Sequence, residues 1–232
     1  MSQNAPEASA VLHPRRVRSF VLREGRITPA QAQALERLWP QYGVGLDSAG
    51  DVQARFVRPA PLVLEIGFGN GEATLWRAQR DPERNYLGIE VHRPGVGRLM
   101  RRAEAEGVDN LRVARCDGVE FLAAMPAQSI DTCIIEFPDP WTKKRHHKRR
   151  LIRPDFLTLL TGKLMHGGRL QLATDWADYA EHMLAVCGEA PGLANAAGDG
   201  YAPRPDSRPP THFEQRGIAR GHDVFDLDFR RV

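Results

Sequence analysis

The sequence has little cysteine and no long apolar segment. Three cysteines are spread through 232 residues without a C-x-x-C pair (Cys116, Cys133 and Cys187). An odd number at such spacings argues against a disulfide framework or a zinc site, so we expect buried, reduced thiols and no metal. No apolar run is long enough to span a bilayer, and residues 1–17 lack the apolar core of a signal peptide. We therefore expect a cytoplasmic protein that does not enter the membrane.

The sequence also lacks a general excess of one charge. Its net charge is +3, from 32 basic and 29 acidic residues. Seven of the basic residues form one short segment (Lys143, Lys144, Arg145, Lys148, Arg149, Arg150 and Arg153). Without these seven the balance is 25 against 29, or −4. Because the positive charge is concentrated, the sequence predicts one specific face that binds a polyanion such as a nucleic acid.

Short apolar runs alternate with helical segments from residue 62 onward. The predicted strands are residues 62–66, 86–89, 111–114, 130–135 and 170–173. The predicted helices are residues 72–79, 94–106, 119–124, 154–164 and 178–187. This alternation predicts a doubly wound α/β domain with a mostly parallel sheet. Phe225, Leu227 and Phe229 alternate with polar residues and predict a half-exposed final strand, which we expect to be antiparallel.

A second region precedes this alternation. Residues 1–17 have no hydrophobic period, and we expect a disordered extension. A basic arm then either contacts phosphates or is simply solvated (Arg15, Arg16, Arg18, Arg23 and Arg26). Thr28 and Pro29 predict the start of a helix, and Pro40 with Gly43 its end. We expect one domain over residues 18–232, made of an arm and helix over 18–60 and a core over 61–232.

A glycine-rich turn, residues 67–71, follows the first predicted strand and leads into a helix. Its missing side chains let a ligand approach the backbone. A dinucleotide fingerprint would place its third small residue at position 72, but Glu72 stands there and would repel a pyrophosphate. S-adenosylmethionine has no phosphate and carries a sulfonium and an ammonium cation, which Glu65 can attract. The turn therefore favours S-adenosylmethionine.

Four successive strands each deliver a carboxylate at or close to their carboxyl end (Glu65, Glu90, Asp117 and Asp139). Open α/β sheets bind their ligands at this edge. Each acid alone is more simply explained as a solvated surface residue, but the four in register favour a cofactor site. Prolines on both sides hold Asp139 on a stiff turn with Trp141, directly before the cationic segment. A long Gly- and Pro-rich loop after residue 187 contains Thr211, and we favour a functional role for it.

Several motifs together resemble the bacterial tRNA (guanine-N(7)-)-methyltransferases, the TrmB family. The matching segments are Arg18–Phe20 with Gly25, Arg26 and Thr28, then Leu64–Gly69, Gly88–His92, Phe137–Trp141, Ala173–Trp176 and Thr211–Gly217. The resemblance extends from Arg18 to the C-terminus and implies a class I methyltransferase fold of Rossmann-like type. It also implies S-adenosylmethionine as the methyl donor and guanosine 46 in the variable loop of tRNA as the acceptor.

The resemblance also implies individual roles, with Asp139 as the catalytic residue. It implies cofactor binding by Glu65, Gly67, Gly69, Gly71, Glu90, Asp117 and Asp139. It implies contact with the substrate guanosine by Lys143, Asp175, Thr211, His212, Phe213 and Glu214. It implies RNA binding by Arg145, His146, His147, Lys148, Arg149 and Arg150. One position departs from the family, which usually has an apolar residue or an amide where this chain has Glu136. That acid either repels Asp139 or points away from it.

The chemistry agrees with the resemblance. Nitrogen 7 of guanine has an available lone pair, so its methylation needs in-line placement and stabilisation of the positive charge that develops on the purine, which Asp139 can supply. Trp141 either stacks on the extruded base or packs under the loop. His92 and His166 are expected to be structural or surface residues.

Two other interpretations compete with this one. Methyltransferases that act on an exocyclic base amine typically place an acid or amide before Pro-Pro, whereas here the prolines flank the acid. A noncatalytic RNA-binding adaptor of the same fold is disfavoured because the glycine turn and all four acids are intact. We expect no obligatory protein partner, and both a monomer and a homodimer remain open.

Overall fold

The computed structural model describes residues 18–20 and 28–232. The predicted disordered extension and the arm residues Arg15, Arg16, Arg23 and Arg26 lie outside the described residues. The strands are β1 (Leu62–Ile66), β2 (Asn85–Ile89), β3 (Leu111–Ala114), β4 (Ile130–Glu136), β5 (Leu164–Thr174), β6 (Leu193–Asn195) and β7 (Phe225–Arg231). The α-helices are α1 (Pro29–Tyr42), α2 (Glu72–Arg80), α3 (Arg93–Ala105), α4 (Gly118–Ala124), α5 (Pro154–Lys163), α6 (Ala177–Gly188) and α7 (His212–Ile218). Two 3₁₀ segments span Leu46–Arg55 and Lys144–Arg149.

The strands form one seven-stranded sheet in the order β3-β2-β1-β4-β5-β7-β6. The first five are parallel, while β7 pairs antiparallel with both β5 and β6. This arrangement confirms the predicted fold class, including the antiparallel C-terminal strand. The strand order reverses between β1 and β4, and ligands of open α/β sheets bind beside such a switch point.

Apolar side chains pack on both faces of the sheet. One cluster lies under α4, α5, α6 and the first 3₁₀ segment, and the other under α1, α2 and α3. Helix α1 joins the core because Leu38 and Tyr42 are buried in the second cluster. Gly43 then forms a parallel bridge to Val113 on β3, and Val44 N donates to the Val113 carbonyl at 2.8 Å. The segment before residue 61 therefore packs directly against the sheet domain.

Some element ends differ from the prediction. Pro40 lies inside α1 instead of ending it, because proline in the last turn removes one N–H while Gly43 N still donates to the Trp39 carbonyl at 2.7 Å. Strand β5 begins at Leu164, earlier than predicted, with a register shift where it pairs with β4. The predicted long loop contains β6 and leads into α7, because each of these elements is too short to show a period.

The cysteines are free thiols. Cys133 and Cys187 are buried as predicted, and Cys116 is half-buried. Burial raises the pKa of Cys116 to about 11, so this thiol stays protonated near neutral pH. Among the described residues, no helix is long and apolar enough to cross a membrane. The described residues also contain no cluster of three or more side chains that could hold a metal ion.

Candidate active site

A cleft of two adjoining pockets opens at the carboxyl ends of β1, β2 and β4. The first, the Glu90 pocket, is lined by Ile66, Ile89, Glu90, Cys116, Asp117 and Asp139 among others. The second, the Phe213 pocket, is lined by Glu65, Phe68, Gly69, Glu72, Thr211, His212 and Phe213 among others. Gly67, His92, Glu136 and Phe137 line both pockets and so form their junction. The cleft therefore brings together the predicted cofactor acids and part of the predicted substrate loop.

The glycine turn adopts backbone angles that exclude most other residues. Gly67, Gly69 and Gly71 have φ values of 84°, 58° and 75°. A Cβ atom at Gly67 or Gly69 would meet no described atom within 4 Å, and both residues line the cleft. Gly71 lines neither pocket; a Cβ there would lie 2.8 Å from the Leu99 side chain on α3. The structure thus gives Gly71 a role in the packing of the turn against α3, and its contact with the cofactor stays a prediction.

Two strand-end acids shape the Glu90 pocket. The Glu90 carboxylate accepts hydrogen bonds from the backbone N–H groups of Gly69, Val91 and His92 at 2.8, 2.7 and 2.9 Å. It therefore braces the glycine turn, and because a carboxylate offers about four acceptor positions it can still accept from a ligand. Asp117 accepts from Val119 N at 2.9 Å and caps α4. Both acids sit where a ribose and a base would lie against β2 and β3.

The loop that carries Asp139 is strained on both sides of that residue. Phe137 and Trp141 have φ values of 51° and 48°, which cost about 1–2 kcal/mol each for residues with a side chain. Phe137 N donates to the Ala173 carbonyl at 2.7 Å and so fixes the loop to β5. Asp139 itself is exposed and lines the Glu90 pocket. The structure therefore presents the predicted catalytic carboxylate beside Gly67.

Trp141 lines neither pocket and packs within the loop. Its indole N–H donates to the Ser19 carbonyl at 3.0 Å, and the Arg149 guanidinium lies 3.8 Å from the ring centroid. Arg149 also donates to the carbonyls of Arg18 and Phe20, each at 3.3 Å. Of the two alternatives for Trp141, the structure supports packing. The pair also holds the arm in place, where Ser19 and Phe20 line the Glu90 pocket.

The basic segment presents only part of its charge to solvent. Lys143, Lys144, Arg145 and Lys148 are exposed, and the two histidines His146 and His147 are half-buried. Burial, followed by the neighbouring cations, lowers the pKa of His146. Lys143 lines neither pocket, so it lies outside the cleft in which the substrate base was expected to meet it.

Arg150 is buried in this structure, and its contact with RNA stays a prediction that this burial does not favour. Its side chain is 2% exposed. Its Nε donates to the Pro140 carbonyl at 3.0 Å, one terminal nitrogen donates to Asp178, and the guanidinium lies 4.7 Å from the Tyr179 ring centroid. The residue therefore fixes the Asp139 loop to α6.

The predicted substrate residues Thr211–Glu214 form a segment that we call the substrate loop, and a group of charged side chains holds it in place. Thr211 caps α7 by accepting from Glu214 N at 3.3 Å, and Thr211, His212 and Phe213 line the cleft. Glu214 is buried and accepts from both Arg204 and Arg208, so direct contact of its carboxylate with the substrate is contradicted in this arrangement. Arg208 also donates to Asp226 on β7 at 2.6 Å.

Asp175 likewise lies outside both pockets. Its carboxylate pairs with His222 Nδ1 at 3.1 Å. The structure therefore does not bring Asp175 to the predicted guanosine site.

Sequence reasoning missed Arg77, which lies behind the cleft and pairs with two of the acids that line it. Arg77 is 3% exposed; its Nη1 donates to Glu65 at 3.0 Å, its Nη2 donates to Glu136, and its Nε donates to the Ser207 carbonyl at 2.9 Å. We call Glu65, Arg77 and Glu136 the Glu65 cluster. The signal that could have found Arg77 is its position on the side of α2 that is buried.

Glu136 thus bonds to Arg77. Burial is the main cause that raises the pKa of Glu136 to about 7. Repulsion from Glu65 acts in the same direction, whereas attraction to Arg77 and Arg208 acts against it.

Known proteins resemble this chain both in sequence and in fold. A family model described as "Putative methyltransferase" matches residues 59–227. The chain is 54% identical over 221 residues to a tRNA (guanine-N(7)-)-methyltransferase of Halorhodospira halophila, covering 94% of this chain and 96% of that protein. It is 50% identical over 232 residues to the enzyme of the same name from Idiomarina loihiensis, covering 98% and 95%. A crystal structure of the 16S rRNA methyltransferase KamB matches the fold with a TM-score of 0.53 at 16% identity, covering 93% of this chain and 98% of that one.

Proposed function

Because the chain belongs to the tRNA (guanine-N(7)-)-methyltransferase family, we propose that it methylates nitrogen 7 of guanosine 46 in the variable loop of tRNA. The chain is a transferase that uses S-adenosylmethionine, and the predicted family, fold class and cofactor are confirmed. One observation supports the proposal most directly: Asp139 lines the same pocket as Gly67, Glu90 and Asp117, beside exposed cations.

The described residues fit the methyl donor. Glu90 and Asp117 offer carboxylates to hydroxyl and amine groups of an adenosine, while Gly67 and Gly69 leave the backbone open beside them. Glu136 places negative charge at the junction and Glu65 places it in the Phe213 pocket, so that a cation is favoured there and a phosphate is not. When bound, S-adenosylmethionine supplies a methyl group already activated by its positive sulfur.

The acceptor needs no base. The lone pair of nitrogen 7 would form the new bond to the methyl carbon while the bond from that carbon to sulfur breaks, which leaves neutral S-adenosylhomocysteine. No proton leaves the guanine, and the positive charge passes from the sulfur to the purine. Asp139, held between two strained residues, stabilises that charge without reorganising. Phe137 and Phe213, with ring centroids 5.2 Å apart, offer an aromatic surface for the extruded base, and Phe213 is 51% exposed.

The tRNA backbone binds on the adjoining cationic surface. Lys143, Lys144, Arg145 and Lys148 are exposed beside the Asp139 loop, and each can neutralise a phosphate. Lys143 in this proposal contacts the backbone near the target and not the base itself. The enzyme acts without an obligatory protein partner, as a monomer or homodimer. Its location is cytoplasmic, with its tRNA substrate.

The residue boundaries proposed for the domain are an N-terminal extension over 1–17 and one methyltransferase domain over 18–232. Within that domain we keep the arm and first helix over 18–60 apart from the core over 61–232. Limited proteolysis tests this division, since cleavage confined to residues before 18 is expected and a stable fragment beginning near residue 61 would contradict it.

The experiment is incubation of unmodified tRNA transcript with labelled S-adenosylmethionine, followed by borohydride and aniline cleavage to locate 7-methylguanosine. We expect cleavage at position 46, and none with a transcript that carries adenosine there. Asp139→Ala should bind donor and tRNA but form little product. Methylation of an exocyclic amine would yield a nucleoside that resists this cleavage, and binding without methylation would indicate an adaptor. Either result refutes the proposal.

A further inference from the structure

The charges beneath the cleft do not balance. The Glu65 cluster contains two carboxylates and one guanidinium, which gives −1 when both acids are ionised. The neighbouring group that holds the substrate loop contains two arginines and two carboxylates, which gives zero (Arg204, Arg208, Glu214 and Asp226). The uncompensated negative charge therefore belongs to the Glu65 cluster.

Its position makes this charge face the methyl donor. Glu136 lines both pockets at their junction, whereas Glu65 lines only the Phe213 pocket. Arg77 lies behind the two acids, and each of its three side-chain nitrogens already donates a hydrogen bond, to Glu65, to Glu136 and to the Ser207 carbonyl. The only cation in the cluster is thus already committed. A net charge buried in this way is costly until a counter-ion arrives.

We propose that Glu136 supplies the net negative charge of the cofactor cleft, and that binding of cationic S-adenosylmethionine expels a proton from the Glu65 cluster to solvent. This inference rests on S-adenosylmethionine as the donor, and it deepens the proposed function by assigning a residue that sets donor affinity. Through Arg77, the same carboxylate also positions Glu65, so Glu136 acts on the reaction without contacting the transferred carbon.

The groups that face Glu136 agree with a titration near neutral pH. From β1, Glu65 disfavours its ionisation, while Arg77 on α2 and Arg208 before α7 favour it. Arg204 interacts with it from the same loop. His92 and Asp139 line the Glu90 pocket with it. Burial is the largest influence and raises the pKa of Glu136 to about 7, so the empty cluster holds part of a proton that a cation displaces.

The test measures donor binding and proton release together. Calorimetric titration of the full chain with S-adenosylmethionine, between about pH 5.5 and about pH 8.5 in buffers of different ionisation enthalpy, yields both quantities. For the wild type we expect affinity to rise with pH and a fraction of a proton to be released near pH 7. Glu136→Gln should release none and should bind roughly tenfold more weakly at the high end, the size of one partly screened charge interaction.

Controls separate this role from a structural one. Glu72→Gln removes a carboxylate that lines the same cleft but lies outside the cluster, and it should keep the proton release. S-adenosylhomocysteine, whose sulfur is neutral, should expel less of a proton than S-adenosylmethionine from the wild type. If Glu136→Gln fails to fold, this ligand comparison and Glu136→Asp, which retains the charge, still decide the matter.

Unchanged proton release in Glu136→Gln, or equal release with both ligands, would overturn the inference. Assay of tRNA methylation by the wild type, measured apart from donor binding, keeps the two proposals distinct. If the wild type binds donor with the expected pH dependence but leaves tRNA unmethylated, the proposed function fails and the role of Glu136 in donor binding stands.

Discussion

Replacing Gly71 by alanine should destabilise the protein while leaving its donor affinity close to that of the wild type. The residue has a φ of 75°, and the added Cβ would lie 2.8 Å from two carbons of Leu99 and 2.9 Å from a third, well inside van der Waals contact. The backbone conformation costs about 1–2 kcal/mol for alanine, and the overpacked contact adds about 1–3 kcal/mol. The sum, about 2–5 kcal/mol, lowers Tm by about 4–20 °C for a domain of this size.

Two other glycines separate these contributions. Gly107 has a φ of 65°, and a Cβ there meets no described atom within 4 Å, so Gly107→Ala should show the backbone cost alone. Gly69 has a φ of 58° and similar open space, but it lines the cleft. Gly69→Ala should therefore lose about as much stability as Gly107→Ala while weakening S-adenosylmethionine binding.

The assays are denaturant unfolding for stability and calorimetry for donor affinity. Leu99→Ala combined with Gly71→Ala gives the coupling between the two side chains. Because Leu99→Ala removes two of the three close carbons but keeps Cβ, the double variant should recover only part of the overpacking loss. The reasoning fails if Gly71→Ala is no less stable than Gly107→Ala, or if it loses donor affinity as strongly as Gly69→Ala.

Other substitutions test separate parts of the cleft. Arg150→Ala should lower the free energy of unfolding by about 1–3 kcal/mol, since it leaves the Pro140 carbonyl without its donor. Lys144→Ala should leave stability unchanged, because the residue is exposed, but should reduce the salt dependence of tRNA binding by about one phosphate contact. The opposite pattern in thermal melts and filter binding would contradict the burial of Arg150. Asp139→Asn should lower kcat by about 10²–10³-fold with little change in donor affinity, measured by single-turnover methylation; an equal loss in both would make the residue a donor ligand only. The pKa of Glu136 rises from 4.5 to about 7 on folding, so the folded state holds more protons than the unfolded state between those pH values. The free energy of unfolding of the wild type should therefore fall by about 3 kcal/mol relative to that of Glu136→Gln as pH rises through that window. Parallel stability profiles for the two proteins in urea would exclude this titration.

Much of the fold and the cofactor edge could be predicted from local patterns. Apolar runs such as Leu62–Ile66 are bounded by residues that end strands, and the carboxylates that follow them are placed at one edge by the parallel sheet itself. Glu90 and Asp117 line the cleft for this reason. Short elements without a period, such as β6 and α7, could not be found in the same way.

The sequence did not indicate the burial of certain charged residues, because their surroundings come from distant parts of the chain. Arg150 follows several exposed cations in the sequence, and its burial depends on Asp178 and Tyr179 of α6. Glu214 is similar, because Arg204 and Arg208 lie in a loop of no regular pattern. Which of two neighbouring charges is buried is decided by such tertiary contacts. Those contacts leave no trace in local composition or spacing.

The placement of β7 has a consequence for how the protein is made. This strand inserts between β5 and β6, yet it follows every other element of the cleft in chain order. Its Asp226 is the partner of Arg208, which in turn holds Glu214 beneath the substrate loop. During synthesis Arg208 can therefore meet Asp226 only after β7 has left the ribosome. A nascent chain in which β1 to β4 have already paired would still lack the ion pair that fixes the loop before α7, so this wall of the cleft should be the last part of the protein to become ordered.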